Sequence, residues 1–230
     1  MKVKYSFGFV IFVASLFLSV SFTFAYDIKE YLPLQEGNSW KYNESVDNNM
    51  NEKGIEVSDF ETVNGTETVK LLYSNGDYDY VAFDSEGLKK YKFSEEDSFD
   101  IYAPSRLLYP DINEGEQKII LINITSFSSD GSKREYDEKA TIKLETVEEV
   151  TVPAGIFSGC LKFSTISDLA QKNGNTYFNV DTVTWLAPGV GVVKEFSMVT
   201  ETDAETKKER TYTTVSELVS AIIQGNSIGD

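Results

Sequence analysis

The side chains that most often carry catalysis are nearly absent from this sequence. It contains no histidine and one cysteine, Cys160. Histidine is the commonest general base and metal ligand, and Ser-His or Cys-His nucleophiles depend on it. A single cysteine forms neither an internal disulfide nor a thiolate metal cluster. Lys162 falls on the same strand face as Cys160, so a Cys–Lys nucleophile is an alternative, but an inert buried thiol is the simpler interpretation.

Carboxylates are the abundant reactive groups. The chain has 37 acidic and 21 basic side chains, a net charge of −16. The clusters Glu95–Asp97 and Glu145–Glu149 are interpreted as solvated turn or strand-edge charges, which also discourage sheet aggregation. A hydrolase using carboxylates alone would need two of them flanking a substrate cleft, which a sequence cannot display. We therefore predict no catalytic residue and a protein that is not an enzyme, with such a hydrolase as an alternative.

The same acidic residues bear on cofactors and partners. The segment Asp47–Glu52 and the trio Asp77, Asp79 and Asp84 offer oxygen ligands for weak calcium binding, although neither fits the twelve-residue calcium loop. No metal or other cofactor is predicted. The strong negative charge argues against a nucleic-acid partner, because such binding needs a basic surface.

The first 25 residues have the composition of an export signal. Lys2 and Lys4 precede an apolar run, and small residues at Thr23 and Ala25 suit cleavage before Tyr26. An uncleaved N-terminal anchor is the alternative, since the run nearly reaches the roughly 20 apolar residues of a membrane span. No second run of that length follows. We expect an exported protein, periplasmic or extracellular, whose mature chain has no membrane span.

The remainder, residues 26–230, has the pattern of one all-β domain. Short alternating runs are separated by turn dipeptides, including Asn64-Gly65, Asn75-Gly76 and Asn173-Gly174. Asn-Gly favours hairpins because both central residues of a type I′ turn need positive φ. The length of several strands predicts a large curved antiparallel sheet or an open half-barrel, with little helix.

Two local alternatives stay open. Ser216–Gln224 either forms a short closing helix or finishes the last strand. A weak similarity between Leu34–Asn38 and Ile112–Glu116 suggests two similar halves divided near residue 104.

Three blocks resemble a family of uncharacterised exported bacterial β-proteins, some called TapB-like. The first is Y-x-P-L-x-x-G-N-x-W-x-Y at residues 31–42, the second is V-P-A-G-x-F within 150–157, and the third is W-x-A-P-G-V-G-x-V-K at 185–194. In general shape such proteins resemble the half-barrel of lipoprotein carriers of the LolA/LolB type. The resemblance implies an envelope β-protein and says little about activity.

Aromatic residues supply the candidate ligand face. Trp40 and Tyr42 alternate on one strand, and Phe178 and Trp185 are grouped with them; core packing is the competing explanation. The leading hypothesis is a non-enzymatic envelope domain that binds an apolar small molecule or lipid-linked partner on its concave face. The alternative is a structural or interaction module that uses an acidic sheet face against another envelope protein.

Overall fold

A computed structural model describes residues 25–174 and 176–229, so the predicted signal lies outside the described residues except for Ala25. The fold is an antiparallel sheet whose strands follow one another in chain order. A 3-10 turn, Ile28–Glu30, precedes the strands. They are β1 (Ser39–Val46), β2 (Asn49–Val63), β3 (Thr66–Tyr73), β4 (Tyr78–Asp84), β5 (Gly87–Ser94), β6 (Ser98–Pro110), β7 (Gln117–Ser128), β8 (Lys133–Val152), β9 (Gly155–Gln171), β10 (Thr176–Ala187), β11 (Gly191–Asp203), β12 (Glu209–Ile223) and β13 (Asn226–Gly229).

Asparagine and glycine set the short hairpins, as the sequence predicts. Asn64 and Gly65 join β2 to β3 with φ values of 51° and 82°. Asp47 and Asn48 make the β1–β2 turn, also with positive φ, although no Asn-Gly pair marks it. Such conformations match the twist of the flanking strands, and short polar side chains tolerate them. The all-β class and the curved antiparallel sheet are thus confirmed.

The sheet closes on itself. β1 pairs with β12 from Ser39↔Ile222 to Val46↔Thr214, with a bulge beside Tyr42. Strands β1–β12 therefore form a barrel, and β13 extends from β12. The predicted open half-barrel is wrong in this respect, because the pairing satisfies the backbone groups that two open edges would expose.

The structure decides the first of the two local alternatives. Residues 216–223 belong to β12, so the closing-helix alternative is wrong and the strand alternative holds. The position of the suggested division, residue 104, lies inside β6, which pairs with both β5 and β7. The sheet is therefore continuous across that point.

The N-terminal segment closes one end of the barrel. The Ile28 amide donates to Asp111 Oδ1 at 2.9 Å, and the Glu30 carbonyl accepts from Gly189 N at 2.8 Å. Asn38 is buried; its side chain donates to the Pro33 carbonyl and accepts from the amide of Gln224. These bonds attach the segment to the β6–β7, β10–β11 and β12–β13 connections, all of which lie at the same end.

Apolar packing seals this closed end. Ile28 and Leu32 of the segment pack with buried side chains of the strands, among them Leu161, Phe163 and Leu186. Each fully buried side chain of this kind contributes about 1.5–3 kcal/mol relative to exposure. The strand pattern and the N-terminal segment thus combine to make one end of the barrel a packed core.

A second core joins the three sequence blocks. Trp40 of the first block donates from Nε1 to the carbonyl of Val190, in the third block, at 2.6 Å. Cys160, beyond the second block, is buried in the same cluster, and the Ala154 amide donates to the Leu218 carbonyl. The blocks that carry the family resemblance therefore build the closed end.

Gly191 offers a test of this junction. Its φ is +103°, and a Cβ there would lie 3.4 Å from Trp40 Nε1. We expect Gly191→Ala to lower the free energy of unfolding by about 2 kcal/mol, because φ +103° lies outside the left-handed region near +60° that a non-glycine residue can adopt. The matched control is Gly189→Ala, at φ +68° with open space around it, which should cost only about 1 kcal/mol. Urea unfolding measures both; equal losses would show that the larger φ of Gly191 adds no strain beyond that at Gly189.

Candidate functional site

The barrel encloses a cavity of about 370 Å³ above the closed end. Its floor includes Leu32 and Leu34 of the N-terminal segment, and much of its wall is aliphatic. The aliphatic wall residues are Ile55, Leu71, Val81, Leu88, Leu108, Val180 and Val192. These strands place apolar side chains inward at every second position, as a half-buried strand must.

A second, polar cavity of about 390 Å³ adjoins the first. Four residues line both spaces: Lys53, Tyr73, Asp79 and Lys90. The wall of the second also includes Glu44, Glu52, Phe93 and the β3–β4 turn residues Ser74, Asn75 and Asp77. Because that turn lies at the end opposite the N-terminal segment, the polar space forms the mouth and the aliphatic space the chamber.

Lys90 and Asp79 form an ion pair between the chamber and the mouth. Lys90 Nζ lies 2.7 Å from Asp79 Oδ1, and the Tyr73 hydroxyl donates to Asp79 Oδ2 at 2.8 Å. Burial acts to lower the pKa of Lys90, but the Asp79 carboxylate outweighs it and the net pKa is raised. Burial, and then Asp79, raises the pKa of Tyr73 well above its usual value. Lys90 and Tyr73 thus stay protonated donors at neutral pH.

Arg106 and Glu138 form a second interior pair. Arg106 Nε lies 3.0 Å from both Glu138 carboxylate oxygens, and Nη2 lies 2.8 Å from Oε1. The Glu138 side chain is 2% exposed and also accepts from the Ser167 hydroxyl. This forked geometry is the strong form of the Arg–carboxylate contact. It fixes the Arg106 guanidinium in the wall of the chamber.

Glu195 is the interior carboxylate that lacks a cation. Among residues 25–174 and 176–229, no lysine or arginine group lies within ion-pair distance of it. The Thr184 hydroxyl donates to Glu195 Oε2 at 3.2 Å. Three tyrosines of the cavity wall lie within its electrostatic reach: Tyr42, Tyr73 and Tyr109. Burial is the main reason that the pKa of Tyr42 is raised, and Glu195 adds to it.

The structure separates the four aromatic residues named from the sequence. Tyr42 lines the chamber, with its hydroxyl donating to the Val192 carbonyl at 2.9 Å. Trp40 lies below it in the closed-end core. Phe178 shares the inward face of β10 with Val180, facing Leu169 and Glu201 in the sheet register.

Trp185 lies on the other face of β10, between the inward residues Thr184 and Leu186. Its Nε1 donates to Glu148 Oε1 at 2.6 Å, and Lys162 Nζ lies 5.2 Å from the ring centroid. Lys194 Nζ lies 6.0 Å from the same centroid. Trp185 also packs against the second core, which contains Trp40 and Tyr42, but it does not line the chamber.

Sequence reasoning missed the charged residues of the interior. Lys53, Lys90, Arg106 and Glu195 were not singled out, and Asp79 was considered only as a calcium ligand. A usable signal was present, because Lys53 alternates with Ile55, and Lys90 with Leu88, on strands whose inward face is aliphatic. No group of three or more His, Cys, Asp or Glu side chains in the described part of the chain is placed to hold a metal ion; Asp79 and Asp84 contact Lys90 and Lys89 instead.

Cys160 is placed to be chemically inert. It is fully buried, and burial followed by the charge of Glu148 raises its thiol pKa to about 11. Because the thiolate is the reactive form, almost none is available at pH 8. We expect a thiol reagent such as 5,5′-dithiobis(2-nitrobenzoate) to leave the folded protein unmodified at pH 8 and to modify one thiol in urea. Rapid modification of the folded protein would contradict this placement.

Comparison with known proteins supplies a family likeness and a fold likeness. A family model described as DUF3108-like matches residues 100–198, which run from β6 into β11. Within residues 25–174 and 176–229 the structure has no helix with the length and hydrophobicity of a membrane span. A search of the curated proteins found no match.

Two solved structures match over most of the chain. One is described as a candidate lipoprotein from Parabacteroides distasonis, with 16% identity, a TM-score of 0.42 and coverage of 82% of this chain and 97% of that one. The other is described as a candidate exported protein with a YmcC-like fold from Bacteroides fragilis, with 15% identity, a TM-score of 0.47 and coverage of 82% and 98%. The chain is thus similar to a DUF3108-like family over its central strands.

Proposed function

We propose that this protein is an exported, non-enzymatic binding protein that holds a small amphiphile inside its barrel. The observation that carries the proposal is the chamber of about 370 Å³ with aliphatic walls, closed at one end and continued by a polar mouth at the other. Small-molecule sites commonly measure about 300–1,000 Å³ and combine apolar walls with a few fixed polar groups. A single short apolar chain with a polar end suits that space.

The arrangement of charge supports binding over hydrolysis. Asp79 and Glu138 are each held by a cation and by a hydroxyl group, so neither is a free acid or base. Among the described residues that line the chamber, no second carboxylate is free to act together with Glu195 as a catalytic pair. Two-carboxylate hydrolysis needs one acid and one base or nucleophile on either side of the bond.

A neutral apolar dye provides the first test. We expect N-phenyl-1-naphthylamine to bind the purified mature protein with enhanced fluorescence. Val180→Phe, which fills the chamber, should weaken binding at least tenfold. The matched control is Val183→Phe, the same change on the outward face of β10, which should leave binding unaltered. Absence of dye binding to the unmodified protein, or equal effects of the two substitutions, would contradict the proposal.

The exported location is tested separately. An antibody should find the protein in the periplasm or medium of the native host, and the mature N-terminus should be Tyr26 if the signal is cleaved after Ala25. N-terminal sequencing that begins at Met1 would favour the uncleaved anchor. A cytoplasmic location would contradict this part of the proposal.

A further inference from the structure

In the described part of the chain, every charged side chain that lines the chamber has an ion-pair partner except Glu195. Each of the chamber's three cations has a carboxylate partner: Lys53 contacts Glu44 at 3.3 Å, Lys90 contacts Asp79, and Arg106 contacts Glu138. In the described part of the chain, Glu195 has only the Thr184 hydroxyl. Charges removed from bulk water are stabilised when they are paired. The chamber therefore holds one carboxylate whose natural counter-ion is not supplied by the lining itself.

Three tyrosine rings surround the same space. Tyr42, Tyr73 and Tyr109 all line the chamber, and the charge of Glu195 acts on each of them. The hydroxyl groups of Tyr42 and Tyr73 are committed to Val192 and Asp79, which fixes the two side chains. Lys53 Nζ already lies 5.6 Å from the centroid of the Tyr73 ring, so the rings of Tyr42 and Tyr109 are the ones offered to a ligand. Aromatic rings attract organic cations through their quadrupole, and fixed rings do so without an ordering cost. A carboxylate among such rings is suited to a soft, weakly hydrated cation.

An anionic group finds no comparable partner. Lys90 Nζ and the Arg106 guanidinium are already bound by carboxylates at 2.7–2.8 Å, and Lys53 Nζ is held by Glu44 at 3.3 Å. At Lys90 or Arg106, a sulfate or carboxylate end would have to displace Asp79 or Glu138 and leave that group unpaired in the wall. Breaking a buried pair in this way is strongly unfavourable. Around Lys90 and Arg106 the lining thus disfavours an anionic end.

We infer that the polar end of the bound amphiphile is an organic cation of the alkylammonium class, received by Glu195 and by the rings of Tyr42 and Tyr109. The inference rests on the proposed function, since it names the chemistry of the ligand in the same chamber. The aliphatic wall takes the alkyl chain, and the ammonium group replaces the missing counter-ion of Glu195.

Three probes of equal chain length test the inference: decyltrimethylammonium, decyl sulfate and 1-decanol, each below the concentration at which it aggregates. Displacement of N-phenyl-1-naphthylamine from the unmodified protein measures their affinities. We expect decyltrimethylammonium to bind at least tenfold more tightly than either of the others. Decyl sulfate binding as tightly as the ammonium probe, or decanol doing so, would overturn the inference. This ranking needs no variant, so it does not depend on the folding of a mutant.

Substitution then locates the preference. Glu195→Gln should reduce the ammonium affinity to that of decanol while decanol binding stays unchanged. The control is Glu209→Gln, the same change of net charge at an exposed position of β12, which should preserve the preference. A preference that survives Glu195→Gln would overturn the assignment to this residue.

The outcomes separate the two levels of the argument. If the dye and all three probes fail to bind, the proposed function itself fails. If decanol and the dye bind but the ammonium probe has no advantage, the barrel binds amphiphiles and only the inferred cation class is wrong.

Discussion

Replacing Arg106 with methionine is expected to lower the free energy of unfolding by about 3–5 kcal/mol, the usual cost of removing one partner from a buried ion pair. Glu138 is held on the inner face of β8 by two contacts to Arg106 Nε at 3.0 Å and one to Nη2 at 2.8 Å. Without them a carboxylate that is 2% exposed keeps only the Ser167 hydroxyl. Urea unfolding followed by circular dichroism measures the loss.

A double substitution shows whether the loss comes from the orphaned charge. Arg106→Met with Glu138→Leu removes both charges and should recover most of the stability, because apolar side chains of similar size often replace a buried pair without penalty. Lys133→Met is the surface control: Lys133 and Glu135 are about half exposed, and such pairs contribute at most about 1 kcal/mol. A double variant no more stable than Arg106→Met would mean that the pair itself, rather than the orphaned charge, supplies the stability.

Phe163→Ala is expected to cost about 3–5 kcal/mol, the range for truncating a buried aromatic residue. Phe163 is 1% exposed in the closed-end core, and its ring centroid lies 5.6 Å from that of Tyr109. Truncation leaves a cavity directly beneath a wall residue of the chamber. Thermal or urea unfolding measures the change in stability.

Phe178→Ala is the matched comparison on the neighbouring strand. Phe178 also faces inward but is only partly buried and lies outside both core clusters. Its loss should cost less than half as much, because fewer contacts are lost and solvent can fill the space. Equal costs would show that the upper barrel is packed as tightly as the closed end, and would count against an open interior.

Local features of the fold could be predicted because their causes are local. The Asn64-Gly65 turn depends on the positive φ values that two adjacent residues can adopt. Closure of the barrel depends on β1 meeting β12, and no sequence pattern in either strand specifies a partner so distant in the chain. The helical alternative for Ser216–Gln224 failed for the same reason, since pairing with β1 decides the conformation of that segment.

The candidate site was predictable only in part. Alternation correctly places Trp40 and Tyr42 on one face of β1, and the same rule shows that Phe178 and Trp185, an odd number of residues apart, face opposite sides of β10. The interior ion pairs could not be predicted from the sequence, because the two partners of each pair come from separate strands. Arg106 and Glu138 are 32 residues apart, and an acidic, lysine-rich sequence offers many equally plausible partners.

The pairing of β1 with β12 implies an order of folding steps for a chain that is synthesised from its N-terminus. Asn38 bonds to an amide 186 positions later, and β1 has no partner on one side until β12 is present. Contacts between residues so far apart in the chain form late, because the entropy cost of closing a long loop comes before the contact can stabilise the fold. A chain halted before β12 would expose both the unpaired edge of β1 and the aliphatic wall of the chamber. The chamber is thus complete only in the last step of assembly, and until β12 has paired with β1 the chain needs protection against aggregation through its exposed strand edge and apolar wall.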